Sequence, residues 1–305
     1  MNSKFLRTRA PYVVPLVICI LLVPAAWGGA KYKVLHDFGA GKDGAGPTGP
    51  LLLNGKNDLY GNTSGGGTGS CSYGCGTVFE LTRRADGTWK EAVLHNFTAG
   101  SHGAFPWGGL TFDGSRHLYG TMSGYGSFAV GGVFELSPGS DGWAYAILYA
   151  DFAGPGLVMD SSGNLYGAMG SGQHKYGAIA ELSPSSMDWT YTVLYSFCVF
   201  HCGFSPPAPP IFDGKGNLFG TTTFGGITQP PCYDSRGCGI AFEMTPSKDG
   251  TWAYHILHRF GSYATDGLAP YGGLVKDTSG SFYGTTIGGG AHGDGTIFKL
   301  SFTLG

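Results

Sequence analysis

One pattern returns five times along this chain, and its order never changes. Its first anchor is an aromatic-glycine pair: Tyr60-Gly61, Tyr119-Gly120, Tyr166-Gly167, Phe219-Gly220 and Tyr283-Gly284. The second is a strand-like run, Val78-Phe-Glu-Leu81, Val133-Phe-Glu-Leu136, Ile179-Ala-Glu-Leu182, Ala241-Phe-Glu-Met244 and Ile297-Phe-Lys-Leu300. The third is Val34-Leu-His-Asp-Phe38, Val93-Leu-His-Asn-Phe97, Ile147-Leu-Tyr149 up to Phe152, Val193-Leu-Tyr-Ser-Phe197 and Ile256-Leu-His-Arg-Phe260. The aromatic-glycine anchors are unevenly spaced while their order holds, so the inserted lengths belong to loops. A repeat of this kind sets the architecture before any local reading does.

Each unit reads as four short strands. Strand a resembles Gly109-Leu-Thr-Phe-Asp113 and strand b His117-Leu-Tyr-Gly-Thr121; strand c is the Phe-Glu-Leu run, and strand d runs from a tryptophan (Trp89, Trp143, Trp189, Trp252) to the third anchor. Asp160-Ser-Ser-Gly-Asn164, Asp213-Gly-Lys-Gly-Asn217 and Asp277-Thr-Ser-Gly280 supply the caps and the positive φ of tight a–b turns. Ser137-Pro, Ser183-Pro and Thr245-Pro end strand c, because proline removes a ladder donor. Repeated four-stranded units of this size predict an all-β fold, a β-propeller of five blades. The chain opens with a lone strand d (Tyr32 to Phe38) and ends with a lone strand c. The N-terminal strand is therefore expected to complete the last blade and close the ring, removing two open sheet edges.

The segment 1–30 reads differently. Lys4, Arg7 and Arg9 precede the apolar run from Tyr12 to Val23 and the small residues up to Ala30, the layout of a secretory signal cleaved after Gly28 or Ala30. The run is short of the ~20 residues a membrane span needs and is interrupted by Pro15. Residues 31–305 are then one propeller, with repeat units at about 31–90, 91–145, 146–190, 191–252 and 253–305. The 56 glycines recur at fixed places beside apolar strands, which reads as turns instead of disorder. A net charge of −2 gives no basic field for nucleic acid. Six cysteines remain after signal removal and lie close in pairs, Cys71 with Cys75, Cys198 with Cys202 and Cys232 with Cys238. In an exported chain these read as disulfides, local pairing being the simplest of 15 connectivities. No histidine-cysteine set has zinc spacing, and no metal or cofactor is expected.

Antiparallel strands put alternate loops on opposite faces. The a–b and c–d links are short, whereas the b–c and d–a links carry the length variation and all six cysteines, so one face is elaborated and is the expected binding face. Repeat symmetry sorts the residues further. Glu80, Glu135, Glu181 and Glu243 share one equivalent position, as do His36, His95 and His258 with Tyr149 and Tyr195, so both sets are expected to be structural. The strand-d tryptophans read as blade packing. Residues that break the symmetry are the ligand-binding candidates: Phe105, Trp107 and Tyr125; His174 and Tyr176; Phe204, Tyr233, Asp234 and Arg236; Asp266, Tyr271, His292 and Asp294. Aromatic faces with sparse polar groups suit sugars, and would equally suit a peptide.

Leu-x-x-Asp-x-x-Gly-Asn-Leu-Tyr-Gly-Thr, then Gly-Gly and Gly-x-Val-Phe-Glu-Leu-Ser-Pro, resembles the bacterial tandem-repeat family called GloVer. Its preceding Asp-Gly-x-x-Pro survives at Asp43-Gly44…Pro47 and Asp266-Gly267…Pro270, and the third unit departs most, with Ala168 and Ala180 in place of Thr and Phe. The resemblance implies an exported or surface protein and brings no catalytic residues. The units are more distantly similar to those of five-bladed lectin propellers, an analogy of fold alone. The expected function is a secreted, non-catalytic binding module for carbohydrate or another extracellular polymer, monomeric, extracellular or periplasmic, with a glycan or protein partner. The alternatives are a glycoside hydrolase or lyase built on Asp43, Asp234, Asp266 and Asp294 at the channel mouth, or a protein-binding scaffold.

Overall fold

The computed structural model describes residues 31–39, 41–124, 131–152, 154–169, 175–186, 188–199, 201–230, 232 and 235–302, so the expected signal segment lies outside the described residues. Residues 35–305 form one unit of the chain and residues 1–34 another. The larger unit is a five-bladed β-propeller of antiparallel four-stranded sheets. Blade one holds β1 (Ala45–Leu53), β2 (Leu59–Gly65), β3 (Thr77–Arg83) and β4 (Trp89–Asn96). Blade two holds β5 (Pro106–Phe112), β6 (Leu118–Met122), β7 (Gly132–Gly139) and β8 (Gly142–Ala150). Blade three holds β9 (Leu157–Met159), β10 (Leu165–Met169), β11 (Ala178–Pro184) and β12 (Trp189–Ser196). Blade four holds β13 (Ile211–Phe212), β14 (Leu218–Thr222), β15 (Ile240–Pro246) and β16 (Trp252–Arg259). Blade five holds β17 (Gly267–Pro270), β18 (Val275–Lys276), β19 (Phe282–Gly289) and β20 (Thr296–Leu300). Among the described residues, no helix is long and apolar enough to cross a membrane.

The aromatic-glycine anchor has a packing cause. A Cβ on Gly61, Gly120, Gly220 or Gly284 would come within 2.4–2.6 Å of the ring of Phe79, Phe134, Phe242 or Phe298, the strand-c phenylalanine of the same blade. Only glycine leaves room for that ring. The phenylalanine ending each strand d then meets the ring edge-on in the next blade: Phe97 on Phe134 at 5.2 Å, Phe197 on Phe242 at 5.5 Å and Phe260 on Phe298 at 5.0 Å. Blade three fills the same space differently. Ala180 leaves it open, and Phe152 from the end of β8 moves in, its ring 2.4 Å from a Cβ on Gly167. Each fully buried phenylalanine contributes ~1.5–3 kcal/mol.

The tight turns form as expected. The Oδ1 atoms of Asp113, Asp160, Asp213 and Asp277 each accept backbone N–H groups two and four residues on, and Asn54 does the same in blade one. The Ser279 hydroxyl and the backbone N–H of Ser281 hold the Asp277 carboxyl down at about 2. Three of the four repeated glutamates accept hydrogen bonds within their own blades: Tyr60 donates to Glu80, Ser137 to Glu135 at 2.7 Å and Ser183 to Glu181 at 2.6 Å. Burial, then that carboxylate, push the Tyr60 hydroxyl up to about 12. The tryptophans pack between blades, Trp189 edge-on to Tyr119 at 5.8 Å and Trp252 to Tyr166 at 5.9 Å.

One detail of the ring differs from expectation. Residues 32–38 form no strand, β20 pairs only with β19, and blade five reaches four strands because β17 and β18 both pair with β19. Phe38 nonetheless packs edge-on against Phe79 at 5.0 Å, as Phe97 does on Phe134. The outer side of β20 stays open: Ile297 is 82% exposed, whereas Val78, Val133, Ile179 and Ala241 at the equivalent position are 0% exposed.

Candidate functional site

The elaborated loops are fixed by a joint repeated between blades. Phe105, Ser205 and Ala269 each stand just before a proline with φ of 55°, 57° and 54°. Their backbone N–H groups donate across the blade boundary to Cys75 O at 2.8 Å, Tyr176 O at 2.9 Å and Cys238 O at 2.7 Å. Pro106, Pro206 and Pro270 then lie against Gly76, Gly177 and Gly239, where a Cβ would meet the proline ring at 2.6–2.8 Å. Left-handed backbone at three equivalent non-glycine positions is a cost the joint imposes. At Gly295, the matching place in blade five, the three nearest atoms all belong to the same blade.

The disulfides Cys71–Cys75, Cys198–Cys202 and Cys232–Cys238 are formed and stiffen the same loops. The Cys202 carbonyl accepts from the Tyr254 hydroxyl at 2.8 Å, and burial raises that phenol far above its ordinary range.

Between blades four and five the joint leaves a cleft of about 210 Å³, floored by Leu268 and Ala269 and walled by Phe224, Arg236, Tyr271 and Ile287. Tyr271 is 64% exposed. The Arg236 guanidinium lies 4.0 Å from the Phe224 ring centre. Phe224 stacks on Phe204 at 5.2 Å, the two held by a short antiparallel bridge, and Tyr176 meets Phe204 edge-on at 5.9 Å. The Lys175 ammonium sits 5.5 Å from the Tyr176 ring centre. Four sequence candidates, Tyr176, Phe204, Arg236 and Tyr271, thus gather on one stretch of the loop face. Sequence reading missed the floor, Leu268 and Ala269, and the Ile287 wall; no motif marks them.

The other candidates fall elsewhere. Trp107 is on β5, 52% exposed, and its carbonyl accepts from Thr121 at 2.7 Å. Phe105 belongs to the joint. His292 and Asp294 are exposed in the β19–β20 loop. Tyr125, His174, Tyr233 and Asp234 lie outside the described residues.

Asp266 is 6% exposed, and its carboxylate is already engaged by His258 Nε2 at 2.9 Å and by the N–H groups of Ser262 and Gly267 at 3.0 and 2.8 Å. Asp43 lies 3.3 Å from His36 Nε2 but forms no hydrogen bond with it. In blade five the Asp-Gly-x-x-Pro aspartate, Asp266, therefore holds the histidine near the end of the preceding β16. The sequence carried that signal: Asp43 follows His36, and Asp266 follows His258, at nearly the same spacing.

A second cavity of about 400 Å³ lies where the inner strands of all five blades meet, lined by residues such as Pro50, Leu110, Leu157, Ile211 and Leu274. Among its described lining residues none is ionisable, and Asp43 and Asp266 are not among them.

The sequence matches the profile of the Gloeobacter/Verrucomicrobia repeat over residues 23–230. No curated protein matches it. Among solved structures the chain is similar to a putative 6-phosphogluconolactonase from Bacteroides uniformis ATCC 8492, with 12% identity, 84% of this chain and 68% of that one covered, and a TM-score of 0.51. It is also similar to a xylan beta-1,4-xylosidase from Bacillus halodurans C-125 (17% identity, 85% and 53% covered, TM-score 0.40). A further similarity is to an endo-arabinase from Bacteroides thetaiotaomicron VPI-5482 (15%, 85% and 94%, TM-score 0.42). The chain spans about half the length of the xylosidase. At these identities the first likeness speaks for the fold alone.

Proposed function

The chain belongs to the Gloeobacter/Verrucomicrobia repeat family, and from that premise we propose a secreted, non-catalytic module that binds carbohydrate on the loop face of blades four and five. The observation that carries this reading is the cleft in which exposed Tyr271 stands with Phe224 and its stacked Arg236. Rings offer flat faces to the apolar C–H side of a sugar, and a neighbouring guanidinium offers donors to its hydroxyls. A cleft of about 210 Å³ is smaller than the ~300 Å³ at which ligand pockets usually begin, which suits one ring of a longer chain. The hydrolase alternative asks for two carboxyl groups ~5–10 Å apart facing one sugar. The central cavity has no ionisable lining among the described residues, and the carboxylate of Asp266 is buried and engaged.

Export is part of the reading. Three disulfides suit an oxidising compartment, and the basic, then apolar, segment up to Ala30 suits a removed signal. Incubation of the oxidised protein with soluble and insoluble polysaccharides tests the function, with retention and released sugar scored together. Retention without products, weakened at least about tenfold by Tyr271→Ala, is the expected result. Release of sugar would make the protein an enzyme, and absence of any retention would return the protein-partner alternative to the front.

A further inference from the structure

Resting on the carbohydrate reading above, we infer that the ligand is an acidic polysaccharide, its anionic groups met by Arg236 and Lys175 at the two ends of the ring row Phe224–Phe204–Tyr176. A neutral sugar is served by ring faces and by hydrogen bonds to its hydroxyls, which uncharged side chains also supply. Here both end rings carry a cation instead: Arg236 at 4.0 Å over Phe224 and Lys175 at 5.5 Å from Tyr176. In a chain with 18 basic residues out of 305, two of them attached to one row of three rings make a local positive stripe. Among the described residues lining the cleft, Arg236 alone is charged at neutral pH. The acidic group nearest in sequence to the floor, Asp266, is buried and engaged by His258.

The geometry of the pair matters. A guanidinium is planar and carries five N–H donors, a fork that fits the two oxygens of a carboxylate or sulfate. Five donors can serve a protein neighbour and a ligand together. The ring below holds the cation in place, reducing the rotamer freedom lost on binding. The phenylalanine pair is itself fixed by backbone hydrogen bonds, Phe204 N to Phe224 O at 3.1 Å and the reverse at 3.3 Å, so the row is assembled before a ligand arrives. The net charge of −2 means that a polyanion gains nothing from the protein as a whole. Attraction would have to come from the stripe.

Uronate carboxylates and sulfate esters share this chemistry, and paired polymers separate them. Affinity electrophoresis of the full oxidised chain would compare polygalacturonate with its fully methyl-esterified form, and dextran sulfate with dextran. The expected result is binding to a charged member and at least about tenfold weaker binding to its neutral partner, with loss as salt rises from about 50 to 500 mM. The charged member retained names the source of the anion. Arg236→Gln should weaken that binding about tenfold, Arg236→Lys less, and exposed Lys175→Gln about threefold, each with an unchanged thermal midpoint. Equal binding of charged and neutral partners, or an unaltered affinity in Arg236→Gln and Lys175→Gln alike, would overturn the inference while leaving the carbohydrate reading standing. No binding to these polymers or to any neutral polysaccharide would overturn both.

Discussion

Tyr254 lies flat on Tyr195, the ring centres 3.8 Å apart and the planes 8° from parallel, and so fastens strand β16 of blade four to strand β12 of blade three. The same contact joins the preceding blades: His95 on Tyr145 at 4.0 Å and Tyr149 on Tyr191 at 4.2 Å. Three consecutive blade boundaries thus share one fastening on their outer strands. Tyr254→Phe should keep the stack and lose the hydroxyl's bond to Cys202 O, costing about 1 kcal/mol. Tyr254→Ala should cost ~3–5 kcal/mol. Urea unfolding of both variants measures the difference.

His95 sets the acid limit of the first fastening. Burial, with His102 adding repulsion, lowers its pKa from 6.5 to about 4, so it is neutral in the fold while the unfolded chain takes up a proton. The stability it allows is complete above pH 6.5 and is lost as pH falls toward about 4. The loss should reach roughly 3 kcal/mol, because each pKa unit is worth about 1.4 kcal/mol. His95→Tyr, the residue found at the equivalent positions 149 and 195, should flatten the curve of thermal midpoint against pH across that window. A curve as steep as that of the parent chain would assign the acid sensitivity elsewhere.

The exchange between Phe152 and Ala180 predicts a non-additive pair. Phe152→Ala should cost ~3–5 kcal/mol by emptying the space beneath Gly167. Ala180→Phe alone should cost ~1–3 kcal/mol by overfilling it. The double variant should regain part of the loss, since it restores the arrangement of Phe134 under Gly120; a double-mutant cycle on unfolding free energies reads the coupling.

Backbone strain at the blade joints predicts a stabilising change. Ser205→Gly should raise unfolding free energy by about 0.5–1 kcal/mol, because glycine adopts the φ of 57° without penalty and the N–H to Tyr176 O is retained. Blade one already has Gly46, at φ 62°, in front of Pro47. A lower midpoint in chemical denaturation would mean that the serine side chain contributes more than the strain costs.

The blades were legible because their signals are local. Alternating apolar runs, Asx turns and, in blades two to four, prolines near the end of strand c mark the strands, and each disulfide cysteine pairs with its neighbour along the chain. Symmetry grouped Glu80, Glu135, Glu181 and Glu243, and the first three accept hydrogen bonds inside their own blades. It also singled out Asp266, whose carboxylate is buried and held by His258. The cleft was half legible. Tyr271 and Arg236 stood out as aromatic or charged in glycine-rich loops, but their meeting depends on how blade five is seated on blade four. That seating is set by Pro270 against Gly239, a contact between positions too far apart in sequence for any local pattern to reveal.

Among the described residues the outer edge of β20 has no strand partner, and this sets blade five apart from the other four. A cyclic stack with equal neighbours everywhere has no preferred site of opening, but here blade five has one well-packed side and one side where Ile297 faces solvent. Heat, force or a protease would find that blade first, and the amides of β20 would exchange with solvent before those of β7 or β11. Crowded copies would meet there too, since a strand with one open edge among the described residues and an exposed isoleucine is the template on which β-rich chains aggregate.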